Sequence, residues 1–239
     1  MLIFDKRNKM KITFISDTHT KHNMVSSSLP GGDLLIHAGD VSSMGHKHEL
    51  QKFLKWFNNL DNYTHKIFIA GNHDWGFQTE PEMCKELLKV YEKVTYLQDN
   101  SETIKDNFFN VVNIWGSPWQ PEFYNWAFNL PKGGEELKSV WDKIPTNTDI
   151  LITHGPPYGH LDTCIGQNLN LGCELLSNKI KTVKPKIHVF GHIHSGYGYK
   201  FDNDTHYFNS SVLNEQYNFT QKPLTVEWDM VTNKIEFLD

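Results

Sequence analysis

The sequence is poor in cysteine. Its 239 residues hold three, Cys84, Cys164 and Cys173. The number is odd, the spacing is wide and no C-x-x-C pair occurs, which excludes a disulfide scaffold and a cysteine-rich zinc module. Any bound metal would have to be held by imidazole and carboxylate. Arginine is scarcer still, since Arg7 is the one arginine among 23 basic residues. With a formal net charge of −5 and no basic patch, a nucleic-acid partner is not expected. Long hydrophobic runs are missing too. No stretch approaches the roughly 20 apolar residues of a membrane span, so no membrane partner is expected. The first ten residues carry too short an apolar stretch for a secretion signal. The protein is expected to be cytoplasmic, with residues 1–10 as an N-terminal extension and Met10 as an alternative start to Met1. Repeats, low-complexity tracts and linker-like shifts are also absent. One domain over residues 1–239 is expected, long enough to bury a substantial core.

What is abundant is histidine, at 13 residues. Short apolar runs end in Gly, Asp, Asn or His at 11–17, 33–40, 66–74, 111–116, 150–155 and 187–194. Near-continuous β-branched and aromatic runs of this length read as buried strands. Between them lie helical stripes. Leu50, Phe53, Leu54, Phe57 and Leu60 keep the spacing of one buried helix face. Thr79 and Glu82 resemble a capping box opening a helix through Met83, Leu87 and Leu88. A third stripe joins Leu137, Val140, Trp141 and Ile144, and a fourth joins Leu175, Leu176, Ile180 and Val183. Alternating strands and helices predict an α/β fold, and the strand-rich tail predicts some antiparallel pairing.

In open α/β sheets, ligands sit beyond the carboxyl ends of the strands. Five of the runs end there in metal-competent residues. The first ends in Asp17 and His19, two apart and so facing the same way in extended backbone. The second ends in Asp40 after Gly39. The third ends in Asn72, His73 and Asp74 after Gly71. The fourth ends in His154, and the fifth in His192 and His194 after Gly191. Any one fragment is weak evidence, because a lone histidine is more often a surface or core residue. Five in order, each at a strand end, are poorly explained by packing, since buried carboxylates and imidazoles need a partner or a metal. Seven candidate ligands (Asp17, His19, Asp40, Asn72, His154, His192 and His194) are too many for one tetrahedral zinc site. They suit two ions that share a carboxylate.

The ordered blocks Asp17-Thr18-His19, Gly39-Asp40, Gly71-Asn72-His73-Asp74, His154 and Gly191-His192-Ile193-His194 resemble the calcineurin-like metallophosphoesterase superfamily. A narrower resemblance is to its metallophosphoesterase-domain-containing branch. It rests on residues 32–40, Trp115-Gly116-Ser117-Pro118-Trp119, Thr153-His154-Gly155-Pro156-Pro157, and residues 188–194 with Gly196-Tyr197-Gly198 behind them. The resemblance implies a four-layer αββα sandwich of mixed sheets. It implies a dinuclear site, with Asp17, His19, Asp40 and His194 on one divalent ion and Asp40, Asn72, His154 and His192 on the other. A hydroxide bridging the ions would attack the phosphorus, and His73 would be the general acid. Asp74 beside it is a candidate to orient it. One departure stands out: where many relatives carry a second acid after the Gly-Asp block, this chain has Ser42-Ser43. Mixed His and carboxylate ligation suits Mn, Fe, Zn or Co, and Mn is expected.

Weaker signals surround these blocks. Trp115, Trp119, Phe123, Tyr124, Trp126 and Phe128 crowd one segment and read either as a substrate-stacking loop or as a loop pinned to the core by aromatics. Trp115, Trp119 and Asn209 are candidate substrate contacts, with Ser210 and Ser211 beside Asn209. His37 is expected to pack beneath the site. The expected activity is a phosphodiesterase acting on small esters, cyclic nucleotides included. A phosphomonoesterase or phosphoprotein phosphatase is the enzymatic alternative. A metal- or nucleotide-binding regulator with little turnover is the non-enzymatic one. The full ligand set and His73 count against the latter, because a binding module needs no general acid.

Overall fold

A computed structural model describes residues 8–105, 110–166 and 169–238. In chain order the elements are β1 (Lys9–Ile15), α1 (His22–Val25), β2 (Gly32–Ala38), α2 (Lys47–Asn58), β3 (Tyr63–Ile69), α3 (Trp75–Thr79), α4 (Pro81–Val90), β4 (Thr95–Tyr96), β5 (Asn100–Lys105), β6 (Val111–Ser117), β7 (Gln120–Pro121), β8 (Asn129–Leu130), α5 (Glu135–Asp142), β9 (Ile150–Thr153), α6 (Glu174–Val183), β10 (Ile187–Phe190), β11 (Gly198–Asp202), β12 (Thr205–Asn209), β13 (Leu224–Asp229) and β14 (Lys234–Phe237). Of the expected N-terminal extension, residues 1–7 lie outside the described residues, while Lys9 and Met10 already belong to β1.

Two six-stranded sheets form, in the orders β14-β13-β1-β2-β3-β4 and β11-β12-β10-β9-β6-β5. Both are mixed. In the first, β1, β2 and β3 run parallel and β13 joins β1 antiparallel. In the second, β6, β9, β10 and β12 run parallel, with β5 and β11 antiparallel at the edges.

The two-residue period of the strands sorts their side chains into three buried layers. Leu34 and Ile36 of β2, with Ile150 and Ile152 of β9, enter the cluster between the sheets. Leu35 faces outward, toward Phe53 and Phe57 of α2 and Leu87 of α4. Leu151 faces the opposite way, toward Leu137 and Trp141 of α5 and Leu176 of α6. Helix, sheet, sheet and helix thus stack in four layers. The strands read as continuous apolar runs because both of their faces are buried. No helix among the described residues is long and apolar enough to cross a membrane.

Helix starts diverge from expectation in one place. Thr79 does not cap α4. It ends α3, where its hydroxyl donates to the Trp75 carbonyl. Pro81 opens α4 instead, since its missing N–H is not needed in a first turn. At the far end of α2, buried Lys66 reaches from β3 and donates to the carbonyls of Asn58 and Leu60. A cation there complements the helix C-terminus.

Buried histidines outside the candidate ligand set make the fold sensitive to acid. Burial drives His22 from its ordinary 6.5 down to about 4, and His37 down to about 3. Above about pH 6.5 both are neutral in the folded and unfolded chain. Below it the unfolded chain binds protons that the folded one refuses, so stability falls until the folded values are reached. By that linkage each fully buried imidazole costs about 2 kcal/mol at pH 5. The unfolding free energy of the chelator-treated protein should therefore drop between pH 7.5 and 5, and His22→Leu should shrink the drop by about 2 kcal/mol. Denaturant titrations check this; an unchanged drop in His22→Leu would refute it.

Candidate functional site

The parallel strands β1, β2, β3, β9 and β10 all deliver their following loops to one edge of the sandwich. Backbone bonds stitch those loops together within each sheet and, through Ser16, between the sheets. The Asp17 N–H donates to the Gly39 carbonyl at 2.9 Å, the Gly191 N–H to His154 at 2.9 Å, and the Ser16 N–H to Ser210 at 2.9 Å. The chain turns sharply here. Asp17, His19, Asp40 and His192 take φ values of 54, 39, 56 and 67°, a left-handed region that such residues rarely adopt outside constrained sites.

Those turns bring the seven candidate ligands together. Asp17, His19 and His194 can place one ligand atom each within 4.8 Å of one another, and so can Asp17, Asp40 and His154. Asp40 is central, with Oδ2 at 3.5 Å from His19 Nε2 and 3.4 Å from His154 Nε2. Asn72 Oδ1 lies 2.9 Å from His154 Nε2 and 2.8 Å from His192 Nδ1. His194 Nε2 faces Asp17 at 3.4 Å.

Backbone carbonyls orient the rings. His154 Nδ1 pairs with Ala38 at 2.9 Å, His194 Nδ1 with Asn214 at 3.0 Å, and His73 Nδ1 with Ser43 at 2.8 Å. A ring N–H donated to a carbonyl fixes the ring and turns its other nitrogen to the site, where a neutral ring offers a lone pair and a protonated ring offers a proton. Asp17 is anchored by hydroxyls from both sheets, Ser16 and Ser211.

These residues fit divalent cations. Both ring nitrogens of His19 are buried with no hydrogen-bond partner, a costly arrangement in the absence of a ligand. Burial outweighs the nearby carboxylates and pulls His19 down to about 4, so it is neutral with a lone pair available. His192 is pushed to about 3 by burial and by His154. Burial also disfavours charge on His154, yet Asp40 and Asp17 prevail and raise it to about 9. Asp17 and Asp40 both stay well below the ordinary carboxylate range, because the surrounding imidazoles overcome their burial. Two buried carboxylates among four imidazoles and an amide form the hard and borderline donor set that suits Mn, Fe, Zn or Co.

Close approach explains Gly191. A Cβ on Gly191 would collide with the Asp17 carboxylate and the Ser16 hydroxyl. Gly191→Ala should therefore displace Asp17 and weaken metal binding by about tenfold or more. Gly155→Ala is the control, since its Cβ meets Gln120 at 3.5 Å, an ordinary contact. Metal titration of both variants checks this; equal affinities would refute it.

The remaining candidates divide. His73 sits at the site, its ring stacked on Trp126 at 4.1 Å between centroids and its backbone N–H donating to Asp40 Oδ1 at 2.8 Å. Asp74 makes no hydrogen bond to the His73 ring. Its carboxylate instead accepts from the N–H groups of Val41, Ser42 and Gly71 and from the Ser42 hydroxyl. It ties the loop after β2 to the loop after β3. Burial and Asp40 raise its pKa to about 6. At Ser42-Ser43, where the resemblance leads to the expectation of a second acid, the Ser43 backbone carbonyl accepts a hydrogen bond from His73 Nδ1 instead.

Trp115 is not at the cavity. It is 1% exposed in the outer cluster with α5 and α6, because the strand period points it away from the inner face. Trp119 packs edge-on against Phe128 and donates to Asp99. Asn209 is fully buried and donates to the carbonyls of Leu161 and Ile193, which braces the backbone before His194. Ser210 and Ser211 bond the Phe190 carbonyl and Asp17. His37 lies beneath the site, paired with Thr18 at 2.9 Å and packed on Phe53.

The site opens into a cavity of about 540 Å³ whose lining includes Asp40, Asn72, His73, Phe123, His192 and Tyr217. Tyr217 escaped the sequence reading altogether. It stands in an irregular loop with no periodicity or motif around it.

Comparison with known proteins agrees with this architecture. The sequence pattern of the family described as calcineurin-like phosphoesterase matches residues 10–196. The chain is 41% identical over 229 residues to metallophosphoesterase domain-containing protein 1 of Homo sapiens, covering 89% of this chain and 69% of that one. It is 35% identical to the protein T07D4.2 of Caenorhabditis elegans, covering 92% of this chain and 60% of that one. Among solved structures, TT1561 of Thermus thermophilus superposes with a TM-score of 0.66 at 15% identity, over 96% of this chain and 98% of that one. That likeness concerns the fold.

Proposed function

The chain belongs to the calcineurin-like phosphoesterase family, and from that premise we propose that it is a dinuclear phosphodiesterase acting on small esters, cyclic nucleotides among them. The observation that carries this reading is the place of Asp40 on the cavity wall, within reach of His19 and His73 in one group of potential ligands and of Asp17 and His154 in another. Asp17, His19, Asp40 and His194 would hold one divalent ion, and Asp40, Asn72, His154 and His192 the other. When bound, two such ions supply Lewis-acid charge and lower the pKa of a water at the site.

The chain's own residues do the rest. Asp40 sets the spacing of the two ligand groups. Carbonyls of Ala38 and Asn214 fix His154 and His194 so that Nε2 faces inward. The carbonyl of Ser43 holds His73 by Nδ1, which leaves Nε2 as the atom that hands a proton to the departing ester oxygen. No serine or cysteine nucleophile is required. Mn is the ion we favour, and a small phosphate ester is the partner.

A substrate panel with Mn²⁺ tests the reading. A chromogenic diester and cyclic nucleotides should turn over in preference to a monoester dye, a phosphopeptide and single-stranded DNA. Faster release from the monoester or the phosphopeptide would replace this reading with a phosphatase, and absence of release from every ester would leave a binding protein.

A further inference from the structure

A second cavity opens in the outer helical layer, between α1 and α2. It holds about 700 Å³ and, among the described residues, shares no part of its wall with the cavity of the candidate site. That volume suits a small organic ligand. Its wall is polar except for Trp56 and Leu60. Lys52, Lys55 and Trp56 all come from α2. Their spacing of i, i+3 and i+4 sets them on one face of the helix within about one turn. His22 comes from α1, and Ser26 from the turn directly after it.

Two rings in this wall point to a ligand. His22 is 2% exposed, yet its Nδ1 is buried with no hydrogen-bond partner. Such a nitrogen is destabilising and uncommon in folded chains unless something occupies the site. The ring is held in place, edge-on to Phe53 at 5.9 Å and tilted against Trp56 at 5.0 Å. Lys52 adds to burial in keeping it unprotonated, so it meets an occupant as a neutral donor and acceptor. Trp56 is pinned as well. Its Nε1 donates to Ser26 Oγ at 2.8 Å, which ties α2 to the α1 side, and its ring packs on the cluster beneath α2. An indole fixed in this way is a ready-made flat surface.

The charge of the wall sets the sign of the ligand. Lys52 and Lys55 face Glu49. Glu49 Oε2 accepts the backbone N–H groups of Met44 and His46, each at 3.1 Å, so this carboxylate is fixed at the start of α2. Among the described residues neither lysine forms an ion pair. At pH 8, where an ordinary imidazole is neutral, the wall carries two positive charges and one negative. A net of one positive charge suits a monoanion, and the fixed Glu49 opposes the second charge of a dianion.

We propose that this cavity is a second ligand site, separate from the candidate centre, that takes one small aromatic carboxylate. The ring lies against Trp56, the carboxylate between Lys52 and Lys55, and His22 supplies a hydrogen bond.

The probe that tests this is 2-naphthoate. Calorimetry on the Mn²⁺-loaded full chain at pH 8 should find it bound about two- to tenfold tighter than decahydro-2-naphthoate, which keeps the charge and loses the flat ring. Neutral 2-naphthylmethanol should bind about tenfold or more weakly than 2-naphthoate. Chelator treatment should leave the 2-naphthoate affinity unchanged to within about twofold, because the two sites share no residue. On that metal-free chain 2-naphthylphosphonate, a dianion, should bind more weakly than 2-naphthoate. Trp56→Leu should abolish the preference over the decahydro compound. The double variant Lys52→Gln, Lys55→Gln should weaken 2-naphthoate about tenfold and leave 2-naphthylmethanol as it was, and His22→Leu should weaken 2-naphthoate about fivefold. An unchanged Mn²⁺ stoichiometry reports that each variant is folded.

Absence of 2-naphthoate binding, or its loss on chelation, would overturn the second site. Equal affinity for the decahydro compound would overturn the aromatic ring, and tighter binding of the phosphonate would overturn the single charge. Full affinity in the double lysine variant would overturn the location, and full affinity in His22→Leu would overturn the part given to that ring.

Discussion

Asp40→Asn is expected to yield a folded chain that retains neither ion and hydrolyses a chromogenic diester at least about 10³-fold more slowly, a loss of several kcal/mol of charge stabilisation. The argument is geometric. Asp40 Oδ2 lies 3.5 Å from His19 Nε2 and 3.4 Å from His154 Nε2, one ring from each proposed ligand group. Its other oxygen accepts the His73 N–H at 2.8 Å. An asparagine can keep that last bond with its carbonyl oxygen. Its amide NH₂ then points at the two imidazoles, and an NH₂ neither carries charge nor ligates a hard cation. One substitution therefore disables both groups, whereas Asn72→Ala should weaken only the second. Metal stoichiometry by native mass spectrometry checks both. Two ions per chain in Asp40→Asn would refute the shared carboxylate.

His73→Ala is expected to lower kcat by about 10²- to 10⁴-fold, the range of a lost general acid, with two ions still bound. His73 needs this test because it also falls within 4.8 Å of ligand atoms of His19 and Asp40, so proximity alone would admit it as a ligand. Its tether argues for the acid role. Nδ1 is committed to the Ser43 carbonyl, and the ring lies flat on Trp126. A group whose task is protonation should matter most when the leaving oxygen is basic. The deficit should therefore be large for an alkyl ester and small for a nitrophenyl ester, whose leaving group departs without help. A loss of one ion in His73→Ala would make it a ligand instead. An equal deficit for both leaving groups would exclude proton donation.

The contrast between Asp74 and Ser43 shows where reading along the chain reaches its limit. Adjacency in sequence suggests that Asp74 orients His73. The folded chain sends the Asp74 carboxylate to Val41, Ser42 and Gly71 instead, while the His73 ring is held by the backbone of a residue 30 positions away. The anchors of His154 and His194 are likewise carbonyls, of Ala38 and Asn214. Every residue has a carbonyl, so no residue type marks these anchors in advance. The aromatic segment behaves the same way. Trp115 and Trp126 look alike in the sequence, yet strand alternation buries the first against α5 and α6, and the loop carries the second onto His73.

What the sequence determined by itself was local and periodic. Continuous apolar runs marked strands with both faces buried, helical stripes marked the outer layers, and the polar residues directly after five of those runs marked the edge where a ligand would sit. These features depend on neighbours a few positions apart, so they are written into the order of residues. Only the tertiary structure decided which sheet faces which, how left-handed backbone at Asp17, His19, Asp40 and His192 turns the three loops that carry them, and that Phe123 and Tyr217, 94 positions apart, line one cavity. Those outcomes depend on contacts between residues up to about 200 positions apart, such as Ser211 with Asp17. Such contacts arise from burying three apolar layers at once, and no local pattern encodes them.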